Sequence, residues 1–445
     1  MSLLNFKSGF TRNVLTLMTG TTIAQVIPIA ITPILTRIYT PEEFGVLAIF
    51  MALCSVLGVI ANGRYELAVL SPETEKDAYN IAALSLFITL TLATVTFLFM
   101  VFLAEEIAIF LSEPDIEMWL YLVPFVVIFI GIFNAFNYLN IRQAEYGTVS
   151  QANILKGVGV AGTQATIGYS AFKGIGLITG YILGAVVISL RLAFPFIKKK
   201  IYKELELQRM IKLAIRYKEF PYFSTFSALA NTGSQQVPVI MISSLFSAGI
   251  AGFYSVASRV LIMPVNVVGT AFGQVYFQKT SKLKSSNEIA QITLAVQKKL
   301  IFLAIVPFSV ILAYGDLLTA ILLGDSWIIA GQYMQYFSFW LYLVFITSPI
   351  TNLYATLEKQ KLAMYFNFIA FISRLTAIFI GFYFFDNATY AILFFAFISA
   401  LLWAVWYGIT LNLVHINFIK MYFMAITPFV MLSSLLLFIR YFYGN

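Results

Sequence analysis

The chain consists of long apolar stretches separated by short polar segments. A helix needs about 20 mostly apolar residues to cross the roughly 30 Å hydrocarbon core of a bilayer. The pattern therefore predicts an all-α polytopic membrane protein with 12 core transmembrane helices and an extra C-terminal hydrophobic helix. The twelve stretches are 14–36, 44–62, 79–104, 118–140, 151–172, 174–195, 221–246, 252–277, 298–315, 333–356, 362–384 and 388–413, and the extra one is 421–439.

A β-barrel is the other structure that satisfies its backbone hydrogen bonds inside a bilayer. Barrel strands alternate apolar and polar residues over about 10 positions, whereas these stretches are continuously apolar over about twice that length. Helices are therefore predicted. Thr40-Pro41-Glu42-Glu43 marks one helix start, with Thr40 as N-cap, Pro41 at the first position and Glu43 completing a capping box.

The composition excludes whole classes of protein. Apolar residues make up 60% of the chain and charged residues 11%, against roughly 25% charged in soluble domains, so a soluble enzyme is excluded. A single cysteine, Cys54, rules out a disulfide framework and a cysteine-based metal site. A single histidine, His415, rules out a histidine cluster. We expect no metal, no cofactor and no enzymatic activity.

The basic residues indicate the orientation. With the N-terminus placed on the cytoplasmic side and the spans alternating, all but four of the 28 Lys and Arg residues lie at inside ends, in inside loops or toward the inside. This agrees with the positive-inside rule. The net charge of +8 therefore reflects topology, and it gives no support to nucleic-acid binding. The four exceptions are Arg37, Lys173, Arg259 and Arg440.

The longest inside loop separates two sets of six spans. It contains Lys198-Lys199-Lys200 and apolar positions set among charges. Such a segment is typical of a basic amphipathic helix on the anionic inner leaflet, and the alternative is a helix that docks a partner. The predicted organisation is an N-terminal six-helix lobe, a cytoplasmic basic amphipathic linker, a C-terminal six-helix lobe and an extra hydrophobic segment, over residues 1–196, 197–220, 221–415 and 416–445.

The second set of spans begins like the first. Residues 24–29 (AQVIPI) resemble residues 234–239 (SQQVPV), 210 positions later. Two units that both start inside form a parallel repeat, and such repeats usually enclose a substrate site. Proline bends a spanning helix and frees a carbonyl, which is tolerated where the helix lines a polar cavity. Pro28 and Pro238 are therefore predicted hinges, although tolerated kinks are the alternative.

Several cations fall within or at the ends of the spans. Arg259 lies about 12 Å deep at 1.5 Å per residue, Arg374 lies near the midplane, and no Asp or Glu lies equally deep in any predicted span. Because an unpaired buried guanidinium is costly, each arginine is expected to face a water-filled cavity. A cationic cavity suits a phosphate or diphosphate, which arginine binds bidentately. Lys156, Arg37 and Arg64 are further candidates, with snorkelling to lipid headgroups as the alternative.

Amide side chains inside the spans are candidate sugar contacts. The alternative for each is a hydrogen bond between helices. The amides chosen as substrate-binding candidates are Gln25, Asn134, Asn137, Gln235 and Asn266.

Several local sequences carry a resemblance to a known family. They are residues 35–45 (LTRIYTPEEFG), 63–66 (GRYE), 258–264 (SRVLIMP) and 273–275 (GQV). With the two six-span units, the chain resembles Wzx-type O-antigen and polysaccharide flippases of the multidrug/oligosaccharidyl-lipid/polysaccharide (MOP) exporter superfamily. The resemblance implies a V-shaped, MATE-like bundle of two pseudo-symmetric six-helix lobes.

The resemblance also implies a function in the bacterial inner membrane. Such a protein flips undecaprenyl-diphosphate-linked oligosaccharide repeat units from the cytoplasmic to the periplasmic leaflet, by alternating access through a cationic central cavity. By position, Arg64, Arg259 and Arg374 would contact the diphosphate or acidic sugars. The implied partners are the lipid-linked oligosaccharide, membrane lipids, a sugar polymerase of the same pathway and a coupling ion, H⁺ or Na⁺.

Two other functions compete with this one. A drug or metabolite exporter of the same superfamily is the first, and an exporter of cationic drugs would be expected to carry a carboxylate inside the membrane. A membrane polymerase of the same glycan pathway is the second, and it would need a large outside loop with catalytic residues. The longest predicted outside loops are still short and contain no His or Arg.

Overall fold

The computed structural model of the protein describes residues 20, 22–170, 173–281, 283, 285–357 and 359–443. Over these residues the chain is built from helices, with no β-strand among them. The long helices, numbered along the chain, are α1 Thr22–Ile38, α2 Pro41–Ile60, α3 Glu75–Phe110, α4 Val123–Arg142, α5 Tyr146–Gly168, α6 Gly176–Lys198, α7 Thr225–Leu245, α8 Ala248–Thr280, α9 Ser286–Leu323, α10 Ile328–Thr347, α11 Gln360–Phe385, α12 Ala388–Asn412 and α13 Phe418–Tyr443.

Each apolar stretch of the sequence coincides with one of these helices. The beginning of the first predicted span, residues 14–19 and 21, lies outside the described residues. Nine of the helices in the described residues are long and apolar enough to cross a membrane, namely α2, α3, α4, α6, α8, α9, α11, α12 and α13. Helix α1 is shorter, and α5, α7 and α10 are less apolar, so they are the helices best able to present polar groups inside a bilayer.

The predicted capping box at the start of α2 is confirmed. The Glu43 backbone N–H donates to Thr40 Oγ1 over 3.3 Å, and the Thr40 N–H donates to Glu43 Oε2 over 2.8 Å. Two N–H groups that no helix carbonyl reaches are thereby satisfied. Pro41 follows at the first helical position, where its missing N–H costs nothing.

The chain forms two compact units, Met1–Gly252 and Phe253–Asn445. Helix α7 belongs to the first unit and packs against α2. Its Ser243 hydroxyl donates to the Leu111 carbonyl over 3.0 Å, just after α3 ends. Since α7 begins immediately after the linker, the chain re-enters the first unit before it builds the second.

The linker contains a short helix, Leu207–Arg216, that docks on the first unit. Arg209 Nε lies 2.6 Å from Asp77 Oδ1 at the start of α3, and Leu213 is buried in the hydrophobic core of that unit. Lys76 and Glu206 form a second ion pair of 2.5 Å. One side of the linker helix is therefore fixed against the first unit.

The opposite side of the linker helix carries exposed apolar side chains. Leu207, Ile211 and Ile215 are spaced four residues apart and are all exposed. Residues at this spacing lie on one face of a helix, and Lys212 beside them is also exposed. The segment thus has one side buried against α3 and an exposed side that carries both apolar and basic residues.

In the second unit, α13 packs against α9. Ser433 Oγ donates to Ser309 Oγ over 3.0 Å, and the Tyr314 hydroxyl donates to the Leu436 carbonyl over 3.2 Å. Residue numbers on the two helices rise together along these contacts, so α13 runs parallel to α9. The predicted C-terminal hydrophobic segment is therefore an integral helix of the second unit.

Polar side chains also tie the other helices of the second unit together. The Gln297 amide of α9 donates to the Ile346 carbonyl of α10 over 2.7 Å and accepts from the Tyr407 hydroxyl of α12 over 3.0 Å. Gln297 is fully buried, so both hydrogen bonds are made where water cannot compete. They help to fix the helices that surround Arg374.

Candidate functional site

Arg64 lies in a tight reversal of the chain after α2. Gly63 and Arg64 both have left-handed backbones, with φ of 57° and 61°. The reversal leads into a short helix, Tyr65–Ala68, and brings Arg64 Nη1 within 3.2 Å of Glu66 Oε1. Consecutive left-handed residues are unusual outside glycine. The strained turn therefore holds the guanidinium and the carboxylate together.

The Arg64–Glu66 pair is unevenly buried. The Glu66 side chain is 2% exposed and the Arg64 side chain 22%. Burial raises the pKa of the Glu66 carboxyl above its ordinary value, although Arg64 beside it lowers the pKa in part. Glu66 Oε2 and Arg64 Nε make no hydrogen bond with the described part of the chain. The pair is held together by one contact and keeps unused hydrogen-bonding capacity.

A buried amide network lies beside this reversal. The Asn62 amide donates to the Gly131 carbonyl over 3.0 Å and to Thr89 Oγ1 over 3.1 Å, while Asn134 donates to Asn62 Oδ1 over 3.0 Å. These bonds join the end of α2 to α3 and α4. Asn134, a predicted sugar contact, therefore makes a hydrogen bond between helices in this structure. Asn137, one turn later on α4, is half-buried.

Lys156 is half-buried on α5. The methylene stem of Lys156 lies against Gly184 of α6, with its Cγ 3.5 Å from where a Cβ would be. The next residue of α5, Gly157, allows close approach of α1, because a Cβ there would lie 3.3 Å from the Ala24 carbonyl oxygen. The side chain of Gln25, next along α1, is exposed. The structure therefore brings two predicted candidates, Lys156 and Gln25, to adjoining helices.

The remaining candidates of the first unit are two exposed side chains and two helix prolines. Arg37 is exposed in the last turn of α1, which fits a headgroup contact as well as a substrate contact. Gln235 is exposed on α7 and donates to Asn231 of the same helix over 3.4 Å. The two predicted hinges lie within helices: Pro238 is buried in α7, and the Pro28 carbonyl in α1 accepts from Thr32 Oγ1 over 2.7 Å.

Arg374 of the second unit is packed among aromatic rings. It is 9% exposed, its Nε donates to Ser399 Oγ over 3.1 Å, and its guanidinium carbon lies 5.1 Å from the centre of the Trp340 ring and 5.9 Å from that of Phe395. Cation–π contacts of this kind stabilise a desolvated guanidinium. In this structure Arg374 is therefore buried against ring faces, and its role in substrate binding stays a prediction.

Arg259 lies on α8 in a different setting. It is half-buried, and Asn266, seven residues on, is exposed on the same helix. Seven residues make about two turns, so the two side chains lie on one face. Thr270 and Gln274 continue as exposed polar residues toward the end of α8. Helix α8 thus carries a polar stripe through an apolar helix, and the stripe includes two predicted binding residues.

Two features of these sites were not found from the sequence. The Arg64–Glu66 contact is one, because two positions along a regular helix would separate the two side chains. The adjacent Gly63 was the available signal for a reversal. The rings around Arg374 come from α10 and α12, and no local pattern in the sequence predicts that three separate helices converge there.

Comparison with known proteins identifies the family. The model of a family described as "Polysaccharide biosynthesis protein" matches residues 34–331. The chain belongs to this family of polysaccharide biosynthesis proteins. The family match covers α2 to α9 entirely, together with the end of α1 and the start of α10, so both compact units contribute to it.

A protein of similar sequence is the succinoglycan biosynthesis transport protein ExoT of Rhizobium meliloti (strain 1021). It is 25% identical over 305 residues, which make up 66% of this chain. The chain matches 58% of the length of that relative. The likeness therefore extends over most of this chain but little more than half of the transport protein.

Solved structures of the same architecture come from the MOP superfamily. The lipid II flippase MurJ in an inward closed conformation has a TM-score of 0.69 at 14% identity, covering 96% of this chain and 99% of its own. An inward-facing MATE-family multidrug resistance transporter has a TM-score of 0.60 at 13% identity, covering 90% and 95%. This family member is therefore an all-α polytopic membrane protein with a MATE-like fold, as the sequence predicted.

Proposed function

We propose that the protein flips undecaprenyl-diphosphate-linked oligosaccharide repeat units across the bacterial inner membrane, delivering O-antigen or similar surface polysaccharide units to the periplasmic leaflet. The family match supports a role in polysaccharide biosynthesis. The related R. meliloti protein is named as a transport protein of succinoglycan biosynthesis, and the structurally similar MurJ is named as a lipid II flippase. Transport of a lipid-linked glycan accounts for all three.

The observation that carries the proposal is a half-buried cation within a long helix of each unit. Lys156 lies on α5 and Arg259 on α8. Charged side chains at membrane depth are expensive and are retained mainly where they serve a substrate pathway. Both are cations, and a cation attracts a diphosphate directly, whereas an exporter of cationic drugs would need the opposite charge. A fatty or purely apolar substrate would need neither.

The polar stripe on α8 suits the sugar part of such a substrate. Asn266, Thr270 and Gln274 are exposed, and amides and hydroxyls both donate and accept hydrogen bonds. Arg259 would bind the diphosphate bidentately, and the exposed amides would contact sugar hydroxyls. In this proposal the protein works by alternating access, with Pro28 and Pro238 as bending points and the N-terminus in the cytoplasm.

The proposal is tested by deleting the gene for this protein in its native cell. Loss of the gene should abolish the surface polysaccharide and cause lipid-linked repeat units to accumulate on the cytoplasmic leaflet. A glycosidase added to the outside of spheroplasts should then fail to cleave these units. Restoring the gene should return both to normal. If the units remain fully accessible to the enzyme in the mutant, flipping is not the step that the protein performs, and a polymerase role takes its place.

A further inference from the structure

The Arg64–Glu66 pair differs from the other ion pairs in the described residues by the burial of its acid. Glu66 is 2% exposed, whereas the acidic side chains of the other four pairs are between 17% and 53% exposed. One of its two oxygens contacts Arg64 and the other has no hydrogen-bond partner among the described residues. A carboxylate in such a place is poorly solvated, so protonation costs less there than at the surface.

The pair lies at the end of the first unit where the linker docks. Tyr65, between the two charged residues, donates its hydroxyl to the Ala214 carbonyl of the linker helix over 3.0 Å. The charges on the linker place this end on the cytoplasmic side in the predicted topology. A lipid-linked substrate made in the cytoplasm would present its diphosphate at this end of the protein.

We propose that Glu66 is a proton-binding residue that determines whether Arg64 is available to the diphosphate of the lipid-linked substrate. This rests on the proposed function. With Glu66 ionised, its Oε1 holds the Arg64 guanidinium. When a proton from the aqueous phase adds to Glu66, the carboxyl becomes neutral and the guanidinium is free to bind the diphosphate. Loss of that proton to water restores the pair and weakens the hold on the substrate, and no other bond is made or broken.

The charge on Arg64 makes this exchange possible. Arginine stays protonated at all physiological pH values, so only the carboxyl changes state. The raised pKa of Glu66 brings its titration closer to neutral pH than that of an exposed glutamate. Binding of one proton would then accompany binding of one substrate, so that substrate affinity depends on pH.

Other charged or titratable groups surround the short helix and need to be separated from Glu66. Tyr138 lies within electrostatic reach of both Arg64 and Glu66. Arg142 donates to the Val69 carbonyl at the end of the short helix over 3.1 Å and pairs with Glu75 over 2.7 Å. The groups from the packed elements are Tyr138 and Arg142 on α4, Tyr222 in the turn before α7, and Glu75 on α3.

The test measures binding of undecaprenyl diphosphate to the full-length protein in nanodiscs between pH 5.5 and pH 8.5. The wild-type affinity should fall as pH rises through the titration of Glu66, by up to about tenfold per pH unit. Glu66→Gln, which cannot ionise, should bind tightly at every pH. Arg64→Gln should bind weakly at every pH, because the cation itself is gone.

Matched controls separate this role from general effects of charge. Glu75→Gln removes the acid of the Arg142 pair, whose carboxylate is 51% exposed, and it should keep the wild-type pH profile. Tyr138→Phe should keep it too, since a phenol does not titrate in this range. If the pair had only a structural role, Glu66→Gln would lower thermal stability, and its slope of affinity against pH would equal that of the wild type.

The possible results separate this inference from the proposed function. If the wild type fails to bind undecaprenyl diphosphate at any pH, the proposed substrate class is wrong and the proton role fails with it. If the wild type binds with no pH dependence, or Glu66→Gln keeps the slope, the proton role alone is overturned. Should Glu66→Gln not fold, the wild-type and Arg64→Gln profiles decide, because a slope that disappears without Arg64 supports the proposal and a slope that persists contradicts it.

Discussion

Gly45 of α2 lies directly against Ala248, the first residue of α8: a Cβ on Gly45 would be 1.8 Å from the Ala248 carbonyl oxygen. The reciprocal contact is equally close, since a Cβ on Gly252 would be 1.9 Å from the Pro41 carbonyl oxygen. Each glycine is the fifth residue of its helix, Gly45 in α2 and Gly252 in α8. The close approach of these helix starts therefore depends on the absence of two side chains.

Alanine at either glycine should weaken this contact. Gly45→Ala and Gly252→Ala both force backbone apart, and overpacking of this kind typically costs about 1–3 kcal/mol. Gly162→Ala on α5 is the matched control, because its Cβ would meet nothing within 4 Å and alanine is favoured over glycine in a helix by about 1 kcal/mol. Thermal unfolding in detergent should rank the control at or above wild type and both contact variants below it; equal melting of all four would show that the helices can separate without cost.

Arg259 and Arg374 should behave differently when replaced. Arg259→Ala is expected to abolish glycan export with normal protein levels, because Arg259 is a half-buried cation on a polar stripe. Arg259→Lys should restore it only in part, since lysine cannot bind a diphosphate bidentately. Complementation of a deletion strain, with membrane immunoblots, measures both, and Lys212→Ala on the exposed linker is the control. Full export by Arg259→Ala would remove α8 from the substrate pathway.

Arg374→Ala should reduce export and also the amount of folded protein. Truncation removes the hydrogen bond to Ser399 and leaves a gap between Trp340 and Phe395, and large-to-small changes in packed interiors cost about 2–5 kcal/mol. Arg374→Met fills the space without the charge and should recover much of the protein level. If Arg374→Met is stable and exports normally, Arg374 holds the aromatic cluster together and takes no part in binding.

The ion pair between Arg440 and Asp316 should anchor the last helix. Arg440 Nη2 and Nη1 lie 2.6 Å and 2.9 Å from the two Asp316 oxygens, and Nη1 also donates to the Ala313 carbonyl. Since the side chains are partly exposed, we expect about 1 kcal/mol from the pair. A double-mutant cycle of Arg440→Gln and Asp316→Asn, followed by thermal unfolding, measures the coupling, and additive effects would mean that the pair contributes nothing.

Docking of the linker helix should depend on pH. The hydrogen bond and charge of Lys76 hold the pKa of Glu206 below its ordinary value. A lowered pKa means that the contribution of Glu206 is present above about pH 4.3, the ordinary glutamate value, and is lost as pH falls through the lowered one. Limited proteolysis within residues 199–206 should therefore accelerate at acidic pH in the wild type. Glu206→Gln should be cleaved at one rate throughout, and high salt should remove the difference because exposed pairs are screened.

The helices could be predicted from the sequence because membrane helices are specified locally. Each apolar run needs only its own length and its flanking polar residues, and the Thr40–Glu43 box needs only four positions. The setting of Arg374 could not be predicted, because it depends on rings from two other helices. Glu66 was missed for the opposite reason: its partner is two residues away, but only the left-handed backbone at Arg64 brings the two together.

The side of the linker helix that packs against the first unit could not be predicted from the local sequence either. Its amphipathic pattern was clear, yet Leu213 and Ala214 meet α3 and Tyr65, which lie some 130 to 150 positions earlier in the chain. The contact between Gly45 and Ala248 likewise joins residues that lie far apart in the sequence. The predicted lobe boundaries and binding residues remain predictions that the experiments above address.

The parallel course of α13 along α9 has a consequence for how the chain is arranged around the membrane. Because the two helices share one direction, α13 ends at the same end of the second unit as α9, where Arg440 pairs with Asp316. An odd helix inserted earlier would have inverted every span behind it. A helix added at the end of the chain changes only the position of the chain end and leaves the orientation of the preceding helices unchanged.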